Sequence, residues 1–307
     1  MEIITDIREC NGTRCAATIG SFDGVHMGHR AMVAELREAA IAEGLPLTVV
    51  TFARHPRLLF DGECEPFLLT TNSEKAALFE EMGVDRMVLL DFDSYMAAMC
   101  AERFMREVLA DAIGVRLLGV GYDHHFGKPC EGEGFEQYAA YGKELGIEVM
   151  RLSPYTMDGG KVSSTVVRKA LNDGNFTAAN ALLGHAYQFS GTVIKGAGIG
   201  RGLGFPTANI QPDEVMKLLP SNGVYEVDAL LNGERIKGVM NIGTNPTVRD
   251  CMLRSIEVHL LDFSGDIYGT KITVEPVRRL RGEVNFGSID ALKLQIGVDV
   301  ARVRRGI

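Results

Sequence analysis

The segment Gly20-Ser21-Phe22-Asp23-Gly24-Val25-His26-Met27-Gly28-His29 places two imidazoles three positions apart among closely spaced glycines. It follows the strand-like run CAATIG and runs directly into a helix-periodic stretch. A strand that ends in a glycine-bearing loop and opens into a helix aims backbone N–H groups and the positive end of the helix dipole at one point, where anions bind. Phosphate is the natural ligand there. At a helix start His26 and His29 face one side, and Gly28 leaves room for a phosphate to approach the backbone. The same residues would equally serve a tight strand-to-helix turn with a capped helix. Far downstream, Val162-Ser163-Ser164-Thr165-Val166-Val167-Arg168 offers hydroxyls at a helix start and an arginine one turn on, a second set of phosphate donors or an ordinary N-cap.

A second constellation begins at Lys195 and runs through Gly196, Gly198, Gly200, Gly202 and Gly204 to Phe205-Pro206-Thr207-Ala208-Asn209. Such a glycine-dense loop wraps phosphates with its N–H groups or simply connects two strands flexibly. It lacks the Gly-Lys-Ser/Thr ending of a Walker A loop, and the residues after it read as a strand. On an extended chain Thr207 and Asn209 point the same way. That suits holding Mg²⁺ against ATP phosphates, and it is also the pattern of a solvated strand face.

The elements that must carry these residues are legible in the hydrophobic pattern. Residues 15–20, 45–52, 86–92, 115–121 and 147–152 read as buried strands, separated by helices near 31–42, 73–82, 101–112 and 134–145. This alternation predicts an α/β unit with a parallel sheet and helices on both faces. Two further helices, 164–171 and 176–183, close the first part. Beyond residue 186 the rhythm changes to short strands separated by turn residues, with Asn232-Gly233 and Ser264-Gly265-Asp266 where hairpin turns are expected, so an antiparallel sheet or small barrel follows. Ile289, Leu292, Ile296 and Val300 mark one side of a closing helix over 288–305. The boundary falls between Leu183 and Tyr187, giving domains 1–185 and 186–307.

The bulk properties agree. A chain of 307 residues exceeds one core of ordinary size, and 46% apolar with 23% charged residues is a globular composition. The formal net charge of −8, with the acidic excess in the first 185 residues, argues against a nucleic-acid binder. Six scattered cysteines without a CxxC pair indicate neither a zinc site nor a disulfide framework. The acidic N-terminus MEIITDIREC is unlike a signal peptide, and no long apolar stretch occurs, so a cytoplasmic protein without membrane association is expected.

Taken together, HMGH and SSTVVR resemble the nucleotidyltransferase superfamily. The fuller strings GSFDGVHMGH, TFARHPRLLF, GVGYDHHFGK and VSSTVVR resemble the FMN adenylyltransferase module of the prokaryotic bifunctional riboflavin kinase/FAD synthetase family, over nearly all of residues 15–185. The resemblance implies that His26, His29, Ser164, Thr165 and Arg168 bind the ATP triphosphate and stabilise the departing pyrophosphate, with Gly20, Phe22, Gly28 and Ser163 beside the nucleotide. FMN brings its own anionic phosphate, so positioning and electrostatics suffice without a general base. Asp123 and Phe126 would lie at the flavin or nucleotide pocket. His125 stands where the family often has arginine, and Arg54 where it has proline.

GAGIGRGLGFPTANI, NGVYEV, NIGTNPTV and SIEVHLLDFSGDIYG resemble the riboflavin kinase module, over residues 186 to about 296. By that resemblance Gly198 and Gly204 contact ATP, Thr207 and Asn209 hold Mg²⁺, and Glu257 is the general base for the ribityl 5′-hydroxyl. Read without that resemblance, Glu257 is a surface acid on an alternating strand between Ile256 and Val258. Arg281 and Glu283 fall in a loop that closes on flavin, with Gly282 in place of the usual acid. The implied architecture is a Rossmann-like nucleotidyltransferase domain followed by a six-stranded, barrel-like kinase domain with a C-terminal helix. The implied chemistry is riboflavin plus ATP to FMN, then FMN plus ATP to FAD and pyrophosphate. The sequence sets no oligomeric state.

Two other readings compete. HxGH is also similar to the HIGH signature of class I aminoacyl-tRNA synthetases, but no KMSKS-like loop or basic surface accompanies it. The second is a monofunctional FMN adenylyltransferase whose C-terminal module only binds flavin. Retention of Thr207, Asn209 and Glu257 argues against it.

Overall fold

A computed structural model describes residues 1–60, 66–121, 134–157, 159–196, 198–244 and 254–306. Asp123, His125 and Phe126 lie outside these residues. The chain forms two compact units, Met1–Glu65 with Thr70–Ser164, and Pro66–Leu69 with Thr165–Ile307.

The first unit is built on strands β1 (Glu2–Ile4), β2 (Cys15–Ile19), β3 (Leu47–Phe52), β4 (Arg86–Leu90), β5 (Val115–Val120) and β6 (Glu148–Arg151). They form one six-stranded sheet in the order β1-β4-β3-β2-β5-β6, with every pairing parallel. The near-continuous apolar composition of β2 to β5 has its cause here, because a parallel sheet is covered on both faces. Alternate residues serve opposite cores. Ala17, Val50, Val88 and Leu118 pack against Phe104, Leu109 and Tyr138, while Ala16, Val49, Met87 and Leu117 pack against Val33, Leu36 and Phe79. Helices Met27–Ala42 and Asn72–Glu81 supply the second face. Helix Phe135–Leu145 and a segment that runs from α-helix Ala101–Phe104 into a π-helix, Met105–Ile113, supply the first. The five expected strands are present. β1 carries only three residues, too few for any periodic signal.

The chain moves from β2 outward through β3 to β4, then returns to the other side of β2 with β5 and β6. The loop after β2 therefore sits at the point where strand order reverses, at the carboxyl edge of the sheet, where α/β proteins bind ligands.

Following a two-stranded ribbon, β7 (Thr156–Met157) with β8 (Gly160–Lys161), the second unit contains a closed antiparallel barrel. Its strands are β9 (Phe189–Ile194), β10 (Ala208–Pro212), β11 (Gly223–Leu231), β12 (Glu234–Thr244), β13 (Arg254–Leu260) and β14 (Lys271–Arg281), in the order β10-β13-β12-β11-β14-β9. Closure leaves no edge strand. The β11–β12 hairpin turns at Asn232 and Gly233, with φ of 51° and 86°, the left-handed pair that a two-residue hairpin requires. Ser264-Gly265-Asp266 departs from expectation. β13 lies between β10 and β12, and β14 between β11 and β9, so the segment joining them makes a crossover instead of a hairpin. Leu171, Phe176, Ala179 and Leu183 of helices Ser164–Asn172 and Phe176–Leu183 join the barrel core with Phe189, Val227, Met240 and Val258. The buried Tyr187 and Tyr225 rings satisfy their hydroxyls on the carbonyls of Leu218 and Ser221. Helix Ile289–Arg305 packs Val300 and Val303 against Val224, Val239 and Leu261. Among the described residues no helix is long and apolar enough to cross a membrane.

Two candidate active sites

In the first unit the loop after β2 is held in a demanding backbone. Phe22, Gly24 and Val25 all have positive φ, at 46°, 88° and 39°. For a β-branched residue such as Val25 this costs on the order of 1–3 kcal/mol and persists only where the surroundings enforce it. The enforcement is visible. Val25 is fully buried, the buried Asp23 carboxylate accepts from the Thr70 N–H at 3.1 Å, and the Gly24 N–H donates to Thr70 Oγ1 at 2.9 Å. Within the same unit the Ser164 hydroxyl donates to the Asp23 carbonyl at 2.8 Å.

His26 is the N-cap of helix Met27–Ala42, its Nδ1 accepting from the His29 N–H at 3.4 Å. The two rings stack, with centroids 3.6 Å apart and planes 15° apart, and Phe22 meets the His29 ring edge-on at 5.1 Å. Burial, then the neighbouring His26 and Lys75, push His29 well below the ordinary histidine value of 6.5, so it is a neutral imidazole near pH 7. Its Nδ1 is buried with no hydrogen-bond partner among the described residues. A Cβ on Gly28 would come within 3.2 Å of the His26 ring, so this glycine admits the imidazole stack itself. Gly20 donates from its N–H to the Val50 carbonyl and lies beside the Phe22 ring. Ser163, like Ser164, belongs to the first unit; Thr165 and Arg168 belong to the second. There Arg168 donates from Nε to the Phe67 carbonyl at 2.9 Å, with its guanidinium 5.7 Å from the centre of the Phe67 ring.

The second unit brings its predicted residues together more tightly. Asn209 pairs with Glu257 across β10 and β13, and Glu257 with Asn241 across β13 and β12, so the three stand in a row on neighbouring strands. Thr207 Oγ1 donates to Glu257 Oε2 at 3.0 Å. Ala208, Ile210, Ile256 and Val258 are buried in the barrel while Thr207, Asn209 and Glu257 are half-buried, the expected alternation. Asn241 was not legible as a site residue: it interrupts an apolar run, and only the strand register shows what it stands beside.

The glycine-rich loop contains one helical turn, Ile199–Leu203, between Gly198 and Gly204, both left-handed at φ 73° and 88°. Gly196 lies under the Asn209 side chain, and a Cβ there would fall 2.2 Å from Asn209 Nδ2. Gly196→Ala is therefore expected to displace Asn209 and lower any reaction of this site by about 10-fold or more, with the first unit's reaction unchanged. Steady-state assays of both activities on one preparation check this.

Two cavities flank Thr207. One, of ≈ 660 Å³, is lined by Phe205, Val239, Glu257, Phe286 and Leu292, and also by Arg281 and Glu283. The other, of ≈ 520 Å³, is lined by Arg201, Pro206, Phe263 and Tyr268. Arg281 is not loose in the first cavity. Its Nε donates to Asp299 at 2.9 Å, and Asp299, only 1% exposed, also accepts from Gln295 at 3.0 Å. Glu283 accepts from Asn222 Nδ2 at 3.0 Å.

Known proteins are similar to both parts of the chain. Residues 9–166 match the family model described as FAD synthetase, and residues 183–307 match that described as riboflavin kinase. The bifunctional riboflavin kinase/FMN adenylyltransferase of Pseudomonas fluorescens is 42% identical over 293 residues, 94% of this chain and 92% of that protein. The enzyme of the same description from Escherichia coli (strain K12) is 40% identical over 291 residues, with 94% and 92% covered. That from Haemophilus influenzae is 37% identical over 303 residues, with 98% and 97% covered. A solved structure described as a macrolide-efflux protein from Streptococcus pneumoniae superposes with a TM-score of 0.88 at 29% identity, covering 99% of both chains. The two matched modules, in the same order and over nearly the whole length of these relatives, make the chain a member of the bifunctional riboflavin kinase/FMN adenylyltransferase family.

Proposed function

We propose that the chain makes FAD in two ATP-dependent steps: residues 186–307 convert riboflavin and ATP to FMN and ADP, and residues 1–185 convert FMN and ATP to FAD and pyrophosphate. The observation that carries the first step is Glu257, which lines the larger cavity and is hydrogen-bonded to Thr207, a residue that lines both cavities. The larger cavity, with its apolar and aromatic lining and Arg281 and Glu283 at its side, takes the flavin. The smaller, approached by the glycine-rich loop, takes ATP, with Gly198 and Gly204 shaping the loop around the phosphates. A flavin hydroxyl is a poor nucleophile until its proton is removed. The Glu257 carboxylate takes that proton as the 5′-oxygen attacks the γ-phosphorus and ADP leaves. Thr207 and Asn209 offer hard oxygen donors of the kind Mg²⁺ accepts alongside phosphate oxygens, and the ion when bound supplies charge neutralisation on the triphosphate.

In the second step an FMN phosphate oxygen attacks the α-phosphorus of ATP and the bond to pyrophosphate breaks. His26, His29, Ser163, Ser164, Thr165 and Arg168 hold the triphosphate and stabilise charge on the leaving group, with Gly20, Phe22 and Gly28 shaping the loop. Asp123 and Phe126 contact the flavin or nucleotide. We place both steps in the cytoplasm, in keeping with the free, buried thiols of Cys10 and Cys15, whose ionisation burial opposes. Incubating the protein with riboflavin, ATP and Mg²⁺ and separating the products by chromatography tests the scheme: FMN is expected first and FAD after it. FMN as the final product would remove the second step, and no flavin product from riboflavin would remove the first.

A further inference from the structure

Lys75 is the charged residue on the buried face of helix Asn72–Glu81, which it shares with Ala76 and Phe79. It is only 4% exposed, rare for a lysine. The helix is fixed against the loop that carries His26 and His29. Phe79, one turn beyond Lys75 on the same face, meets Phe22 edge-on at 5.5 Å, and Phe22 in turn meets His29. At the helix start Thr71 and Glu74 form a reciprocal capping box, and Thr70 is hydrogen-bonded in both directions to the loop through Asp23 and Gly24. Lys75 therefore cannot swing outward as a surface lysine does. Its charge reaches both Asp23 and His29, yet among the described residues no hydrogen bond or ion pair to its ammonium is found. His29, whose protonation the Lys75 charge opposes, has its Nδ1 buried with no hydrogen-bond partner among the described residues. An ammonium on so buried a side chain, with no hydrogen-bonded counter-charge and an unpartnered imidazole nitrogen in its field, is unfavourable until an anion arrives.

We infer that Lys75 is a further anion-binding residue of the N-terminal site, presenting its ammonium to a phosphate chain bound beside His29. The inference rests on the reading of that unit as the FMN-adenylylating one. An ordinary buried lysine, present only to neutralise Asp23, would have no reason to influence turnover of a bound nucleotide. A phosphate ligand shares its charge with Lys75 in every state of the reaction and most strongly as the pyrophosphate departs.

The full chain is assayed with supplied FMN and ATP, as wild type, Lys75→Met and Lys75→Arg. Methionine keeps the stem's bulk without the charge; arginine keeps the charge. Lys75→Met is expected to lower kcat/KM for ATP in FAD formation by about 100-fold, and Lys75→Arg by no more than about 10-fold. Riboflavin phosphorylation by the same samples is expected to be unchanged, which reports on folding. Burial draws the Lys75 ammonium down to about 8. The protonated form binds the anion, so the wild-type kcat/KM falls as pH rises through about 8, and that fall is absent in Lys75→Arg. The charged and titratable groups that bear on Lys75 are Asp23 and His29, with His26 stacked on the latter and Glu74 on its own helix. Carboxylates, imidazoles and guanidinium groups do not ordinarily change charge near that pH. Lys75→Met activity within about threefold of wild type, or an alkaline fall that persists in Lys75→Arg, would overturn the inference.

A second measurement separates it from the assigned reaction. ATP is expected to slow hydrogen exchange of the amides of residues 20–30 in the wild type and not in Lys75→Met. Equal slowing in both proteins counts against Lys75. Slowing confined to the wild type, with no FAD formed, supports Lys75 and removes the assigned reaction. If Lys75→Met loses both activities together, the Lys75→Arg pH profile decides.

Discussion

Glu257→Gln is expected to reduce FMN formation by about 10³-fold in kcat, within the usual range for loss of a general base, while FMN supplied to the same protein is still converted to FAD. Gln occupies the same space, and its amide oxygen can still accept from the Thr207 hydroxyl, now 3.0 Å from Glu257 Oε2. The row Asn209, Glu257, Asn241 across three strands is backbone-registered and survives the substitution. What is lost is only a group able to take the proton of the attacking hydroxyl. The effect should therefore fall on kcat and leave the KM for riboflavin within a few-fold, since the flavin cavity's apolar lining is untouched. Separate assays starting from riboflavin and from FMN read the two steps independently. FMN formation reduced by less than about 10-fold would remove Glu257 as the base, and equal loss of both steps would remove the independence of the two sites.

How much of this was legible beforehand depended on whether a residue's partners are local in sequence. The parallel sheet was legible because strands buried on both faces are mostly apolar without alternation, as 15–19, 47–52, 86–90 and 115–120 are apart from a few threonines and Arg86 and Arg116. The Asn232-Gly233 turn was legible because its left-handed backbone selects those residues. The Ser264–Asp266 segment carries equally good turn residues, but barrel closure decides which strands pair, and no short-range signal records that. Within the sites, Thr207 and Asn209 announced themselves by two-residue alternation, and Glu257 by a string resemblance. Asn241 required the register of β12 against β13, which sets it opposite Glu257. Lys75 was hidden because a single lysine on a ten-residue helix reads as solvent-facing. The helix that carries it packs Phe79 on Phe22 and is tied through Thr70 to Asp23, and Phe22 and Asp23 lie in a distant part of the chain. Asp299 was hidden the same way: an acid on an amphipathic helix looks exposed until Arg281 is found against it.

His29→Asn should show the opposite selectivity to Glu257→Gln: FAD formation lower by about 10²–10³-fold, the range for losing one donor to a transition-state oxyanion, with FMN accumulating from riboflavin at the normal rate. The neutral ring has a single N–H to give, and its stacking on His26 at 3.6 Å with Phe22 at its edge leaves it little freedom to reorient. Asn is too short to restore both the stack and the donor. The same residue carries a pH signature that distinguishes its two roles. In the folded protein His29 resists protonation, chiefly through burial, whereas in the unfolded chain it binds a proton below about 6.5. The unfolded state then holds more protons than the folded one, so stability contributed at neutral pH is lost as pH falls below that value. His29→Asn removes this dependence. Its melting temperature should therefore change less between pH 7.5 and pH 5.5 than that of the wild type, the two pH values being chosen to lie about one unit either side of the ordinary histidine value. An unchanged rate of FAD formation would take His29 out of the chemistry even if the stability signature appeared. Loss of FAD formation with an unchanged pH slope would keep His29 in the chemistry and remove the burial-driven resistance to protonation.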